Sequence, residues 1–544
     1  MNRLCLLSLV CRLVLFADSQ HEIQGRVVDA QTGAPVVHAR VTVTFFQPGI
    51  EPFAVSLLTD EGGAFDLENA PEGQYRLICE RAGYLSGNQP PGPAQPASSS
   101  PDVKPAPLVI RLMPQAVIEG SVVDEKGAPV ALATVQIFRQ TIVEGHRQPQ
   151  MVGAGNQCDD TGSFRIFGLN AGRYWVAVTP PRAVSQRSKV AYPQVFYPRS
   201  PDIAGAELMD LQPGQERHLR IRLPEPVPAR EIRGQVAPAA DSVNIALRPA
   251  NGPLFSQFLN FSNQWDRKTK TFKVWGVPSG VYVLEVYTNV EDQQLHASMT
   301  VTVGNGDVTG IRLEPRPPAT ISGVVRFEGK EKPAGFLAGG IQLRSPHAQF
   351  GVQPDADGNF KFNDSFRTNG SPDDVYRLVS PSDGPVYLRS AWQGGRDVLR
   401  DGLAVSTESE SSPLEIVVGG PGGTVEGTLD LGDSSEPANV IVALLRHAGN
   451  EMVLEKQAYV NRSLPAGAIV FHSGAPAFQG GKRFTIQGIA PGDYVLHCWA
   501  ANSLVPYGDP DFLEQYGTKG KAITVSGTEK VSVTLDRLVP RIDP

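Results

Sequence analysis

Ile23-Gln24-Gly25-Arg26-Val27 opens a pattern that the chain repeats four more times: Ile118-Glu119-Gly120-Ser121-Val122, Ile232-Arg233-Gly234-Gln235-Val236, Ile321-Ser322-Gly323-Val324-Val325 and Val425-Glu426-Gly427-Thr428-Leu429. The starts lie about 90–115 residues apart, the length of one β-sandwich domain. A repeat of that size sets the architecture: an all-β tandem array of five Ig-like or transthyretin-like β-sandwich modules.

The residues after each opening support a sandwich. In the first repeat a turn ending Gly33-Ala34-Pro35-Val36 leads to Ala39-Arg40-Val41-Thr42-Val43, and the second gives Gly127-Ala128-Pro129-Val130 and Ala133-Thr134-Val135-Gln136-Ile137. Each reads as strand, tight turn and strand with alternate residues inward. Next come Thr59-Asp60-Glu61-Gly62-Gly63-Ala64-Phe65 and Cys158-Asp159-Asp160-Thr161-Gly162-Ser163-Phe164, echoed by Asp355-Ala356-Asp357-Gly358-Asn359-Phe360. Asp and Gly suit the hairpin loop, and the phenylalanine re-enters the core. A third signal is a turn before a tyrosine strand: Tyr75, Tyr174, Tyr282 and Tyr494. Equivalent core places are expected for these tyrosines, and likewise for Phe65, Phe164, Phe360 and Phe484. Closing strands run from Leu108, Leu219, Val308, Leu414 and Val531, four of them followed at once by proline or glycine. The modules so defined span 20–114, 115–226, 227–317, 318–422 and 423–544. The third and fourth lack the Gly-x-Pro-Val turn, and the fifth carries an insertion from Glu451 to Lys482. Short connections leave little slack, so the modules are expected in a row.

Composition agrees. The 544 residues exceed one core, and 55 Gly with 46 Pro fit short strands and frequent turns. A net charge of −7 with both signs interspersed argues against a nucleic-acid partner, which needs a concentrated basic face. The start, Met1-Asn2-Arg3 followed by an apolar run from Leu4 to Ala17 and then Asp18-Ser19, reads as a signal peptide over residues 1–19. A secreted, periplasmic or cell-surface location is expected on that basis, with no transmembrane segment in the mature chain. Beyond the signal, Cys79, Cys158 and Cys498 lie in separate repeats without a C-x-x-C pair, which excludes a disulfide framework and a zinc knuckle. Cys79 and Cys498 stand four residues after a strand tyrosine, where Val178 and Val286 stand elsewhere. They read as inward-facing core residues.

The combination I-x-G-x-V-x-D, G-x-P-V, A-x-V-x-V, T-D-x-x-G-x-F and G-x-Y resembles the carboxypeptidase regulatory-like domain, a transthyretin-like β-sandwich also grouped with carbohydrate-binding-like folds. The resemblance is strongest in the first two repeats. It implies a non-catalytic module, of the kind that builds large secreted bacterial proteins.

Motifs for catalysis are missing. No histidine begins H-x-x-E, H-E-x-x-H and G-x-S-x-G do not occur, and neither do the phosphate-cradling glycine loops. The acidic pairs at Asp60, Asp159 and Asp355 sit in the repeated hairpin and read as turn chemistry, not calcium ligands. No metal and no cofactor is expected. Function is expected instead in the loops after the tyrosine strands, since long loops on rigid sandwiches carry binding sites. The first, Gln89 to Lys104, reads as a Pro/Ser-rich spacer. The second holds Tyr192, Phe196 and Tyr197, and the fifth holds Tyr507, Phe512 and Tyr516. Phe255, Phe258, Phe261 and Trp265 occupy another loop of the third module. Candidate ligand-binding residues are therefore Tyr192, Phe196, Tyr197, Tyr507 and Trp265, suited to stacking on sugars or peptide side chains. The competing reading is that these rings cap their own sandwiches. The function expected is binding of polysaccharide or an envelope protein, or a scaffold role. Alternatives are an accessory subunit of an envelope transport or peptidase complex, and a hydrolase with its site in a divergent module.

Overall fold

The computed structural model describes residues 21–47, 50–70, 74–92, 108–181, 189–238, 242–250, 261–291, 293–317, 320–328, 340–345, 349–362, 375–379, 385–404, 412–432, 437–449, 451–472, 475–540 and 542. Residues 1–19, read as a signal peptide, lie outside them. The fold is all-β. No helix among the described residues is long and apolar enough to cross a membrane.

The described residues form two compact units. The first draws on Met1–Gly120, Arg165–Ala171 and Asp210–Leu219. It contains a three-stranded sheet in the order β4 (Ala64–Ala70), β1 (His21–Asp29), β7 (Leu108–Leu112). A four-stranded sheet lies in the order β3 (Ile50–Leu58), β2 (Arg40–Gln47), β5 (Gln74–Glu80), β6 (Gly87–Gly92). Their inner faces share one core, with Val27, Val41, Val43, Phe45, Phe65, Leu77, Cys79, Ile110 and Leu112. Residues 89–92 of the expected spacer belong to β6, where Gln89 pairs with Leu77. The rest of that spacer lies outside the described residues. Most of a further sheet, β11 (Ser163–Leu169), β8 (Ala116–Val123), β16 (Glu216–Arg222), also belongs to this unit, with β15 (Met209–Leu211) shortly before β16.

The second unit draws on Ser121–Phe164, Gly172–Met209 and Arg220–Pro544. It begins with β10 (His146–Gln157), β9 (Thr134–Val143), β12 (Gly172–Thr179) and β14 (Val195–Phe196), in that sheet order. A small pairing joins β13 (Val190–Ala191) to β17 (Val227–Pro228). Two sheets come next along the chain: β20 (Ser262–Asp266), β21 (Thr271–Val277), β18 (Arg230–Val236), β24 (Val308–Leu313), and β19 (Val243–Pro249), β22 (Gly280–Val290), β23 (Gln293–Val303). The next two are β28 (Asn359–Phe362), β25 (Ile321–Phe327), β33 (Leu414–Gly419), β30 (Tyr387–Gln393), β31 (Arg396–Asp397), and β27 (Gln349–Val352), β26 (Ile341–Arg344), β29 (Val375–Leu378), β32 (Leu403–Ala404). The last two are β39 (Arg483–Ile489), β34 (Gly423–Leu429), β42 (Lys530–Leu535), and β37 (Ile469–His472), β38 (Ala475–Gly480), β36 (Glu451–Asn461), β35 (Asn439–Ala448), β40 (Gly492–Ala500), β41 (Lys521–Val525). The insertion from Glu451 to Lys482 thus supplies three strands of one sheet. Two short helices, α1 (Val398–Asp401) and α2 (Pro510–Tyr516), complete the described elements.

The opening motif has a physical explanation. In four sheets the motif strand pairs antiparallel with the phenylalanine strand and parallel with the closing strand. The motif glycine faces the phenylalanine: Gly25 opposite Phe65, Gly234 opposite Phe272, Gly323 opposite Phe360, Gly427 opposite Phe484. Each ring reaches over its glycine into the space a side chain would take. A Cβ on Gly427 would stand 2.2 Å from Phe484 Cζ, and one on Gly25 would stand 2.4 Å from Phe65 Cζ. An aromatic covering a bare strand glycine restores the side-chain packing that glycine forgoes. Phe272 fills this place in the third module, which the sequence motif did not reveal.

Tyr282 and Tyr494 are equivalent in detail. Each buried ring sends its hydroxyl four residues back, Tyr282 to the Pro278 carbonyl at 3.0 Å and Tyr494 to the Ala490 carbonyl at 2.9 Å. Cys79, Cys498, Val178 and Val286 all point into cores, as their spacing from the tyrosines predicted. The acidic turns are equally regular. Asp60 Oδ1 accepts from the Gly62 and Ala64 amides, Asp159 Oδ1 from Thr161 and Ser163, and Asp355 Oδ1 from Asp357 and Asn359. These carboxylates close their own hairpins.

The candidate functional site

The aromatic loop of the second module is built into its sheet. Val190 and Ala191 pair with Pro228 and Val227, so the loop is tied to the connection leading into the third module. Val195 and Phe196 pair with Val178 and Ala177 of β12. The Tyr197 amide donates to the Val176 carbonyl at 2.8 Å. Phe196 is only 1 % exposed and packs on Phe138 and Ala177. This corrects the expectation of a surface anchor: Phe196 stands on the face of its sheet that carries Ala177 and Phe138, and Met151, Trp175, Ile203 and Ala206 pack around it. Tyr192 is half-buried, and its hydroxyl donates to Glu125 Oε2 at 3.0 Å. Burial first, and then this carboxylate, raise its phenol above the ordinary value. Tyr197 is half-buried as well, on the same loop.

Trp265 lies on β20, packed against the core formed by Ile232, Phe272, Val274 and Tyr282. Phe261 meets Tyr282 edge-on, with ring centroids 5.7 Å apart. Phe255 and Phe258 lie outside the described residues.

Tyr507 belongs to a second hydrophobic layer of the fifth module. The outer face of β35, β36 and β40 carries Ala443, Leu445, Met452, Val495 and Trp499. Phe512 of α2, Val505 and Val539 cover it. Tyr507 stacks on Trp499 at 6.3 Å, and burial raises its phenol far above the ordinary value, with Glu144 adding to the rise. The aromatics after the fifth tyrosine strand therefore roof their own sheet.

Beside Tyr507, side chains from three modules meet. Residues Glu144 and Gly145 form the two-residue turn between β9 and β10, both at positive φ. The Gly145 carbonyl accepts from the Gly508 amide at 2.9 Å. Arg147 Nη1 lies 2.9 Å from both Asp509 Oδ2 and Asp511 Oδ2. His146 lies between Asp509, at 3.4 Å from Nδ1, and Glu451, at 3.5 Å from Nε2. From the fourth module, Arg344 Nη1 reaches Glu144 Oε1 at 3.2 Å, and Arg377 pairs with Glu451. The expected row would keep the second module away from the fourth and fifth. A long hairpin of two strands, ten and twelve residues, carries its tip there instead. No motif in the sequence announces this meeting, because its partners are single charges far apart along the chain.

Among the described residues, no group of three or more His, Cys, Asp or Glu side chains is placed to hold a metal ion.

Comparison with known proteins agrees with the repeat. The carboxypeptidase regulatory-like domain family matches over residues 22–101 and 117–224, so the first two modules are of this type. No curated protein matches the chain. Among solved structures, the Bacillus anthracis TIE protein is similar at 13 % identity and a TM-score of 0.17, over 55 % of this chain and 51 % of that one. The chain thus spans about half the length of that protein. A streptococcal ancillary pilin is similar at 12 % identity and a TM-score of 0.19, covering 55 % of this chain and 99 % of its own. The minor pilin of Streptococcus agalactiae gives 12 % identity and a TM-score of 0.20, over 37 % of this chain and 95 % of that one.

Proposed function

We propose that this chain is a secreted or envelope-associated, non-catalytic β-sandwich scaffold that binds polysaccharide or an envelope protein. The observation that carries the reading is what the repeated polar and aromatic residues do. Asp60, Asp159 and Asp355 close hairpins, the tyrosines cap strand entries, and the phenylalanines cover glycines. Such residues are spent on holding loops and edges in place, the requirement for a presenting framework. The ligand surface is then assigned to half-exposed rings such as Tyr192 and Tyr197, at the tied loop of the second module.

An accessory role in an envelope complex is favoured by one feature. Strand β3 ends its sheet, and Phe53 and Leu58 are exposed on it. An extended segment of an envelope protein would add there as a further strand.

A glycan array run with a peptide array and a whole-cell binding assay tests the reading on the purified mature chain. The expected result is binding to one ligand class, weakened by Tyr197→Ala without loss of thermal midpoint. Turnover of a glycoside, ester or peptide substrate, or retention of the expressed precursor in the cytoplasm, would overturn it.

A further inference from the structure

We propose that the hairpin tip Glu144–Arg147 is a locking finger, and that the surface around Tyr507 and Asp509 is its receptor within the same chain. The contact joins residues 362 positions apart, so it closes a long loop of chain. Its chemistry goes beyond facing charges. A Cβ on Gly145 would lie 2.4 Å from the Tyr507 ring, and one on Gly508 would lie 2.5 Å from the His146 ring. Bare glycines on both sides let the two backbones approach until Gly508 N–H meets Gly145 C=O. Gly145 is required twice, since it also holds the positive φ of the turn.

Ion pairs then fix the finger on three sides. Asp509 and Asp511 hold Arg147, Arg344 holds Glu144, and Arg377 holds Glu451, whose other oxygen lies 3.5 Å from the His146 ring. An acid-Gly-His-Arg tip therefore meets bases opposite its acid and acids opposite its bases, with a tyrosine ring under its turn. Complementarity of this kind sets register and partner choice more than raw strength. A partly exposed cluster of ion pairs is weakened by salt. The finger and receptor thus have a closed state, which couples the second, fourth and fifth modules, and an open state in which they move independently.

Amide hydrogen exchange on the full chain tests this. In the wild type, residues 144–147 and 507–511 should be protected together, and 1 M salt should speed both segments. Arg147→Glu should raise exchange in both by tenfold or more while the middle of β9 and of β40 stay protected. Gly508→Val, which places a side chain against His146 without altering a charge, should do the same. The proposal is overturned if both segments already exchange freely in the wild type. Unchanged protection in both variants would overturn it equally, as would protection that grows with protein concentration and tracks a dimer.

Discussion

At the residue scale, the recurring glycine and phenylalanine form one unit of packing. Gly427 has no room for a methyl group because the Phe484 ring occupies that space, and Phe484 is buried because the glycine leaves that space open to it. Gly427→Ala is expected to cost about 1–3 kcal/mol by overpacking, and Phe484→Ala about 3–5 kcal/mol by cavity formation. The double variant should cost less than the two losses added, since the methyl group enters space the ring has vacated. Denaturant unfolding of the two single variants and the double checks this, and simple additivity would refute the coupling. The motif was legible in the sequence through its spacing alone. What spacing could not give was the reason for glycine, or Phe272 as the ring of the third module. That residue lacks the Asp-Gly turn that marks Phe65, Phe164 and Phe360, and only strand register places it opposite Gly234.

At the element scale, the loop from Val190 to Pro201 shows why ring exposure was misread. A proline-rich run after a tyrosine strand reads as a free loop, but its strand pairs with β12, and both faces are covered, Val195 beside Val178 and Phe196 in the cluster of Ala177 and Phe138. Phe196→Ala should therefore lower stability by about 3–5 kcal/mol, whereas Tyr192→Phe should lose only about 0.5–1.5 kcal/mol with its hydrogen bond to Glu125. Unfolding midpoints for the two variants decide the matter, and equal losses would show the burial assignment to be wrong.

Helix α2 gives a second prediction at this scale. It roofs the outer face of β40, where His497 lies only 4 % exposed against Phe512, with no hydrogen-bond partner for Nε2. Burial lowers the imidazole from 6.5 to about 4. The folded state therefore holds His497 neutral while the unfolded chain takes up a proton below about pH 6.5. Stability is full above that pH, falls between about 6.5 and 4, and levels below, a loss of about 3 kcal/mol. His296, lowered to about 4 by burial in β23, adds a loss over the same window. Urea midpoints followed by fluorescence between pH 8 and pH 4 should fall accordingly, and His497→Phe should remove about half of the fall. An unchanged pH dependence in that variant would show that His497 is hydrated.

At the scale of the whole molecule, modules in a row should unfold as nearly independent bodies, each sensing only its neighbours. The second compact unit has further ties. Lys456 of β36 donates to the Val386 carbonyl at 3.2 Å, and Arg446 of β35 donates to the Leu399 carbonyl at 3.1 Å, which binds the fifth module to the fourth. The hairpin tip then fastens the second module to both. These ties differ in their response to salt: Lys456 is buried, whereas Asp511, at 61 % exposure, lies open to counterions. Raising ionic strength should therefore release the second module before it separates the fourth from the fifth. Scanning calorimetry at low salt should show these three modules melting in one transition. At 1 M salt the second module should leave that transition while the fourth and fifth still melt together. Arg147→Glu should produce the same separation at low salt, and a second module that melts alone under every condition would return the chain to a plain row of independent sandwiches.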